Sequence, residues 1–490
     1  MRKQKNLAVI LIAILCLSVL SGCKARVATE TAVYETGTSN SDVLQTDSTN
    51  VTNQTETDSA YNGNFSNLDG RVEFAWNIPT QELNTSIPIL EAVPHYFTED
   101  DIRSIAHALF GDIEYYDLGP ASSRKLSKSE IESRISILEP YLDAEKRKDV
   151  VRPYYGEVDI QKMLDEYRNS YANAPDSYSY QPCDWTFKSE RYYDDTGISS
   201  LNSGNASQLK VMTSTEVSDY YISAIVENSA SYKRNCISVQ LGDGSNPLVR
   251  EIQTAEICDT TKPSREQITA IAEKAQNMLN QMETGDFRVI DSTVTHLSFG
   301  NSPRYAILVQ ATQDLAGCPV IIGQAKISSG VDDLNTNSTG INYPMTNIRF
   351  IFNTSGELIS FSMDGIVDVI RVNKECTASV PFDDLCSAAE LHLSELGFSE
   401  FDEITGNTAW MLALENDLPE DGLCFNVNID NVQFGLARRS SENETDRYQY
   451  VPATLFGGTI SCINQQTGNI LKEYSNPLVL TSIVDGKILE

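Results

Sequence analysis

The sequence predicts an α+β fold: repeated modules in which an amphipathic helix packs on an antiparallel sheet, with a helical insertion in the first module. Three observations predict it. Apolar residues recur at helical spacing behind capping residues in four segments, alternation flanks a glycine turn in three others, and these turns and helix starts recur at intervals of about 112 to 117 residues.

In FTEDDIRSIAHALFG, Thr98 is placed to cap a helix with Asp101 three residues on, and Ile102, Ile105, Ala106, Leu109 and Phe110 fall on one face. In LSKSEIESRISILEPYL, Ser127 and Glu130 form the capping-box pattern, and Pro140, which has no N–H to donate, is expected to end or kink the helix. In PSREQITAIAEKAQNMLNQM, Ser264 and Gln267 repeat the box ahead of a stripe of Ile268, Ile271, Ala272, Ala275, Leu279 and Met282. In VPFDDLCSAAELHLSELG, Pro381 suits the first turn, Asp383 and Asp384 suit the positive end of the dipole, and Gly397 suits the stop. Each stripe requires a sheet or another helix to cover it.

The sheet signals follow. NIRFIFNTSGELISFSM alternates on both sides of Ser355-Gly356, and TISCINQQTGNILKEYS does so around Thr467-Gly468, as hairpins do. A looser version, NCISVQLGDGSNPLVREI, turns near Gly242 to Gly244. The helix at Thr98 fits the same interval once a helical insertion at about 127–172 is set aside. Three diverged units are expected: an N-terminal domain over 68–260 carrying the insertion, a second module over 261–375 and a third over 376–490.

Residues 1–22 have the pattern of an export signal: Arg2, Lys3 and Lys5 precede an uncharged run from Leu7 to Leu20, about 14 residues and too short to span a bilayer comfortably. Leu20-Ser21-Gly22-Cys23 resembles the lipobox of bacterial lipoproteins. The resemblance implies cleavage between Gly22 and Cys23 and a diacylglyceryl group on the Cys23 thiol. The mature chain is then expected on the extracytoplasmic face of the bacterial cell membrane, held there by its lipidated N-terminus. Residues 23–67, rich in Ser, Thr, Asn, Asp and Gln with almost nothing to bury, are expected to be a disordered lipid-anchored linker.

A formal net charge of −31 repels nucleic acid and anionic lipid, so neither is an expected ligand. It favours cationic partners. Apart from Cys16 and Cys23, the ten cysteines comprise Cys183, Cys236, Cys258, Cys318, Cys376, Cys386, Cys424 and Cys462. They are scattered among apolar neighbours and form no CxxC pair, so zinc and redox chemistry are not expected, while disulfides stay open.

Motifs for other chemistry are sparse. The four histidines form no HExxH or close pair: His107 and His392 read as packed or half-buried, and His95 and His296 are solitary. Ser122 and Lys125 have the SxxK spacing without companion motifs and read as a polar loop. Asp333, Asn335 and Asn337 alternate as calcium ligands do, but Ser338 and Pro344 stand where a calcium loop requires Gly and Glu. No catalytic residue, metal or cofactor is assigned. One oddity remains, a concentration of rings that includes Tyr178, Tyr180, Trp185, Tyr192 and Tyr193. Exposed, they would form a surface for stacking sugars or gripping a protein; buried, they would close the inserted helical region over the first sheet.

A capped helix, a gap, then the hairpin Asn353-Thr-Ser-Gly-Glu-Leu358 or Asn464-Gln-Gln-Thr-Gly-Asn-Ile470 resembles the PepSY-type modules of exported bacterial proteins. More broadly the chain resembles multi-domain surface lipoproteins of clostridia and relatives. Related modules are associated with restraining proteases or with sensing beside membrane kinases, which implies an interaction role. The expected function is therefore a lipid-anchored binding protein of the cell envelope whose partner is an envelope protein or glycan. The alternatives are an envelope hydrolase acting on glycan or peptide through carboxylates, and a solute-binding subunit.

Overall fold

A computed structural model describes residues 56–81, 86–118, 126–146, 159–177, 180–188, 206–215, 218–228, 233–242, 247–297, 304–321, 346–377, 380–416, 418–440 and 447–489. In chain order its elements are β1 Glu56–Ser66, β2 Val72–Gln81, β3 Ser86–Pro94, α1 Glu99–Phe110, β4 Tyr115–Asp117, α2 Lys128–Lys146, α3 Ile160–Tyr171 and β5 Gln181–Pro182. There follow β6 Ala206–Ser214, β7 Asp219–Asn228, β8 Lys233–Leu241, α4 Pro247–Ile257, α5 Arg265–Leu279, β9 Phe287–Leu297, β10 Arg304–Leu315 and β11 Cys318–Pro319. The last third holds β12 Asn347–Phe352, β13 Leu358–Asp364, β14 Val367–Thr377, α6 Phe382–Glu395, α7 Phe398–Ile404, α8 Thr408–Glu415, β15 Leu423–Ser440, β16 Tyr448–Asn464 and β17 Ile470–Ser482. The protein is α+β, its described residues 29% helical and 46% strand, with two sheets in which antiparallel pairing dominates. No helix among the described residues is long and apolar enough to cross a membrane.

The first sheet runs β1-β2-β15-β16-β3-β14, with β17 also paired to β16. Val72, Phe74, Trp76 and Ile78 alternate inward and share a core with Phe425, Val427, Ile429 and Phe456, which α6, α7 and α8 cover. The first strands of the chain and the last therefore complete one sheet, which corrects the expectation of successive units over 68–260, 261–375 and 376–490. Hydrogen bonding supplies the reason. β15 and β16 are 18 and 17 residues long, and their ladder groups are satisfied in part by β2, parallel to β15, and by β3.

The expected linker over 23–67 also ends too late, because β1 begins at Glu56. Tyr61 and Phe65 alternate inward onto Trp76 and Phe74, with ring centroids 5.4 and 4.6 Å apart, while Asn62 and Asn64 face solvent. Two rings suffice for an edge strand whose other groups remain hydrated. Cys23, Gly22 and the rest of residues 1–22 lie outside the described residues, as do Ser122, Lys125 and the loop containing Asp333.

The second sheet runs β11-β10-β12-β13-β8-β7-β6-β4-β5, with β9 paired to β10. The caps read from sequence place its two covering helices. Thr98 and Asp101 close a capping box on α1, and Ser264 and Gln267 do so on α5. Ile102, Ile105 and Leu109 of α1 and Ile271, Ala275 and Leu279 of α5 pack into one core with Val239, Phe350 and Phe361. The last strands of the two helix-and-sheet units, β8 and β13, pair antiparallel with Phe361 opposite Val239, so two of the expected copies share a continuous sheet.

The repeat fails at its turns. Gly356 and Gly468 do close hairpins, at φ +85° and +71°, where a residue with a Cβ is strained. Gly242 instead ends β8 before α4, and the expected hairpin there is a strand and a helix. Leu248, Val249 and Ile252 of α4 recur at helical spacing and pack on Leu138, Tyr141, Ile160 and Leu164 of the inserted helices. That cluster also explains why Pro140 does not end α2: Leu138 and Tyr141 on either side of it are buried, and the helix runs on to Lys146. Gly397 likewise does not stop α6 in a left-handed turn; Leu396 is extended, and Gly397 begins α7 by donating its N–H to Glu400 Oε2 at 2.8 Å.

Candidate interaction surface

Two of the aromatic residues read from sequence, Trp185 and Tyr180, are tied into the fold. Tyr178, Tyr192 and Tyr193 lie outside the described residues. Trp185 is 8% exposed and packs 5.1 Å from the Tyr115 ring, so its face has no room for a ligand, and it belongs to the core between α1 and the second sheet. Tyr180 is half-buried and donates to Glu130 Oε1 at 3.1 Å, which fastens the start of α2.

Several titratable groups among the described residues are tied into the fold. Seven cysteines (Cys183, Cys236, Cys258, Cys318, Cys386, Cys424 and Cys462) are free thiols. Burial pushes those of Cys258 and Cys462 up to about 12, so they behave as small apolar side chains rather than nucleophiles. Among the described residues no group of three His, Cys, Asp or Glu side chains is placed to hold a metal ion. A surface depression of about 360 Å³ on α2 and α3 is lined by Glu132, Ile135, Ser136, Glu139, Arg168 and Tyr171. Its carboxylates are tied, Glu139 to Arg168 at 2.5 Å and Glu132 to the Tyr171 hydroxyl.

His95, solitary in sequence, has a structural role. It follows β3 and meets Asp368 Oδ1 at 2.9 Å through Nδ1 and Asp101 Oδ2 at 3.3 Å through Nε2. It thereby ties the α1 cap to β14. Burial alone would lower its pKa, but hydrogen bonds to Asp101 and then Asp368, with their charges, prevail and raise it from 6.5 to about 9. The contribution to stability is thus full below pH 6.5 and lost as pH rises through about 9. With a shift of this size, His95→Gln is expected to cost about 2 kcal/mol at pH 6 and almost nothing at pH 10. Urea unfolding of both proteins across that range checks it; a difference that does not shrink with pH contradicts it.

The exposed apolar groups are what the fold leaves over. Val369, Ile370 and Val372 lie on β14, the end strand of the first sheet, where two register shifts interrupt pairing with β3. Such bulges twist an edge away from further strands. The other group is on α8, whose eight residues, TAWMLALE, are largely apolar on every side. Ala409, Leu412 and Ala413 face the core, whereas Trp410, Met411 and Leu414 point outward, 53%, 40% and 64% exposed. Spacings of three and four residues bring these three onto one face. Scattered surface leucines need no explanation, but an outward stripe of Trp, Met and Leu does.

A helix this short does not hold itself together. Asp402, near the end of α7 and 3% exposed, supplies the missing cap. Its Oδ1 accepts from Ala409 N at 2.7 Å and its Oδ2 from Trp410 N at 3.1 Å, while its carbonyl accepts from Asn407 N at 2.7 Å. Asn407, at φ +57°, takes the left-handed turn that lets the chain enter α8.

No family model matches the chain, and no curated protein does. Among solved structures, the crystal structure of an uncharacterized protein from Eubacterium rectale ATCC 33656 is 8% identical, with a TM-score of 0.34, covering 88% of this chain and 93% of that one.

Sequence reading missed α8 altogether, because a segment apolar on all sides has no periodicity to detect. One signal was available: from residue 375 to residue 437 the chain has thirteen Asp and Glu and no Lys or Arg. That stretch supplies α6, α7 and α8, so the helical layer over the first sheet is acidic throughout, with the α8 stripe set in it.

Proposed function

We propose that this protein is a lipid-anchored interaction protein of the bacterial cell envelope, which binds a partner protein through the outward face of α8. The observation that carries the reading is the exposure of Trp410, Met411 and Leu414 together on a helix fixed by a buried carboxylate. Exposing large apolar side chains works against solubility, and a rigid mount for them suits a surface that is covered part of the time. The signal-like residues 1–22 and the lipobox-like Leu20 to Cys23 support placement outside the cytoplasm, tethered through Cys23.

Chemical crosslinking on intact cells tests the reading, with the wild-type chain compared with a Trp410→Ser/Leu414→Ser variant. The expected result is a discrete adduct in the wild type that the variant loses at equal abundance and equal membrane retention. Adducts unchanged by the substitutions would remove α8 from the interaction. Recovery of the N-terminal peptide with Met1 attached, or with a bare Cys23 thiol, would remove the anchor.

A further inference from the structure

Resting on α8 as the docking face, we propose that its occupant is a cationic amphipathic helix of a partner protein, with an apolar stripe that covers Trp410, Met411 and Leu414 and Lys or Arg on both flanks. Charge complementarity commits the face to this occupant. Glu415 on α8 and Glu400 and Glu403 on α7, the helix in contact with α8, are exposed, within the stretch 375–437 that contains no Lys or Arg. Arg71, just before β2, lies over the Phe398 ring at 3.4 Å and donates to the Leu423 carbonyl at 2.8 Å, so its charge is directed into the layer rather than outward. An incoming cation meets carboxylates that the chain itself leaves without lysine or arginine neighbours in sequence.

Shape selects a helix. The three outward side chains form a convex ridge on a helix whose backbone amides are already engaged, so the surface offers no strand edge for an extended peptide, whereas ridges of one helix fit grooves of another. A second copy of this chain is disfavoured, because an isologous contact would set the same acidic layers against each other. An anionic lipid surface is repelled by the same field. Attraction between opposite charges also steers the encounter and weakens as salt rises, which makes the proposal measurable.

The test uses the lipidated full chain in nanodiscs of zwitterionic lipid and follows tryptophan emission. Trp76 and Trp185 are 3% and 8% exposed, so a solvent-exposed Trp410 reports docking, with Trp410→Phe and empty nanodiscs as controls. The probes are three synthetic helical peptides with one leucine stripe, flanked by Lys, by Gln or by Glu. The expected result is a blue shift with the Lys peptide alone, weakened about tenfold by raised salt and lost in Met411→Ser/Leu414→Ser. Equal binding of the Gln or Glu peptide would overturn the cationic partner and leave the apolar face standing. A Trp410 shift produced by anionic vesicles without peptide would replace the helix with lipid, and a Lys-peptide response that survives Met411→Ser/Leu414→Ser would move the contact elsewhere. If no peptide moves Trp410, the proposal fails, while the crosslinking comparison above still decides whether α8 is a docking face.

Discussion

Replacing Asp402 with alanine is expected to melt α8 and abolish partner capture while the second sheet stays folded. The carboxylate is buried and accepts from two backbone N–H groups at the start of a helix of eight residues, Ala409 N at 2.7 Å and Trp410 N at 3.1 Å. Hydrogen bonds to a charged acceptor contribute roughly 1.5 to 3 kcal/mol each, and the orphaned donors would be left in a dry site, so a loss of about 3 kcal/mol or more falls on this segment. Isolated helices need roughly 12 to 15 residues to persist, and α8 has no reserve. Amide hydrogen exchange should accelerate over 405–416 and remain slow over α1 and α5. Asp402→Asn, which keeps one acceptor oxygen, should fall between the two. Unchanged protection over α8 in Asp402→Ala would show that packing of Ala409, Leu412 and Ala413 alone holds it.

Deleting residues 56–94 should prevent the C-terminal part of the chain from folding. Those residues contribute β1, β2 and β3, and with them Val72, Phe74, Trp76, Ile78, Leu90 and Ala92, all buried in the first core. Each large apolar side chain buried contributes roughly 1.5 to 3 kcal/mol, so their combined removal rivals the whole stability of a typical domain, about 5 to 15 kcal/mol. The fragment 376–490 expressed alone should accordingly be insoluble or unfolded by circular dichroism. A folded, cooperative 376–490 would restore the picture of three successive modules.

What could be read from the chain was whatever local chemistry decides. The capping residues Thr98, Ser127 and Ser264 each begin a helix at the place their side chains indicate, because a cap satisfies backbone donors within three residues. Gly356 and Gly468 mark hairpins for an equally local reason, positive φ. The errors lie where distant segments decide. Whether Trp185 is exposed or buried is open in the sequence; Tyr115 and the second sheet bury it. Asn62 and Asn64 look like linker until β2 pairs beside them. LVREI reads as a strand until the inserted helices offer a cluster for one face of α4. Strand order was beyond reach, since nothing local to Phe425 announces Val72 as its neighbour. The candidate surface follows the same division: its lack of Lys and Arg is visible in the sequence, but the outward turn of Trp410, Met411 and Leu414 depends on which face of α8 the core claims.

The measurement that bears most directly on the role of α8 is site-specific photo-crosslinking in intact cells, with a photoreactive residue at position 411 and, for comparison, at the exposed position 166 on α3. A single adduct from position 411, absent from position 166 and diminished by raised salt, is the predicted result. No adduct at 411, or the same adducts from both positions, would contradict it.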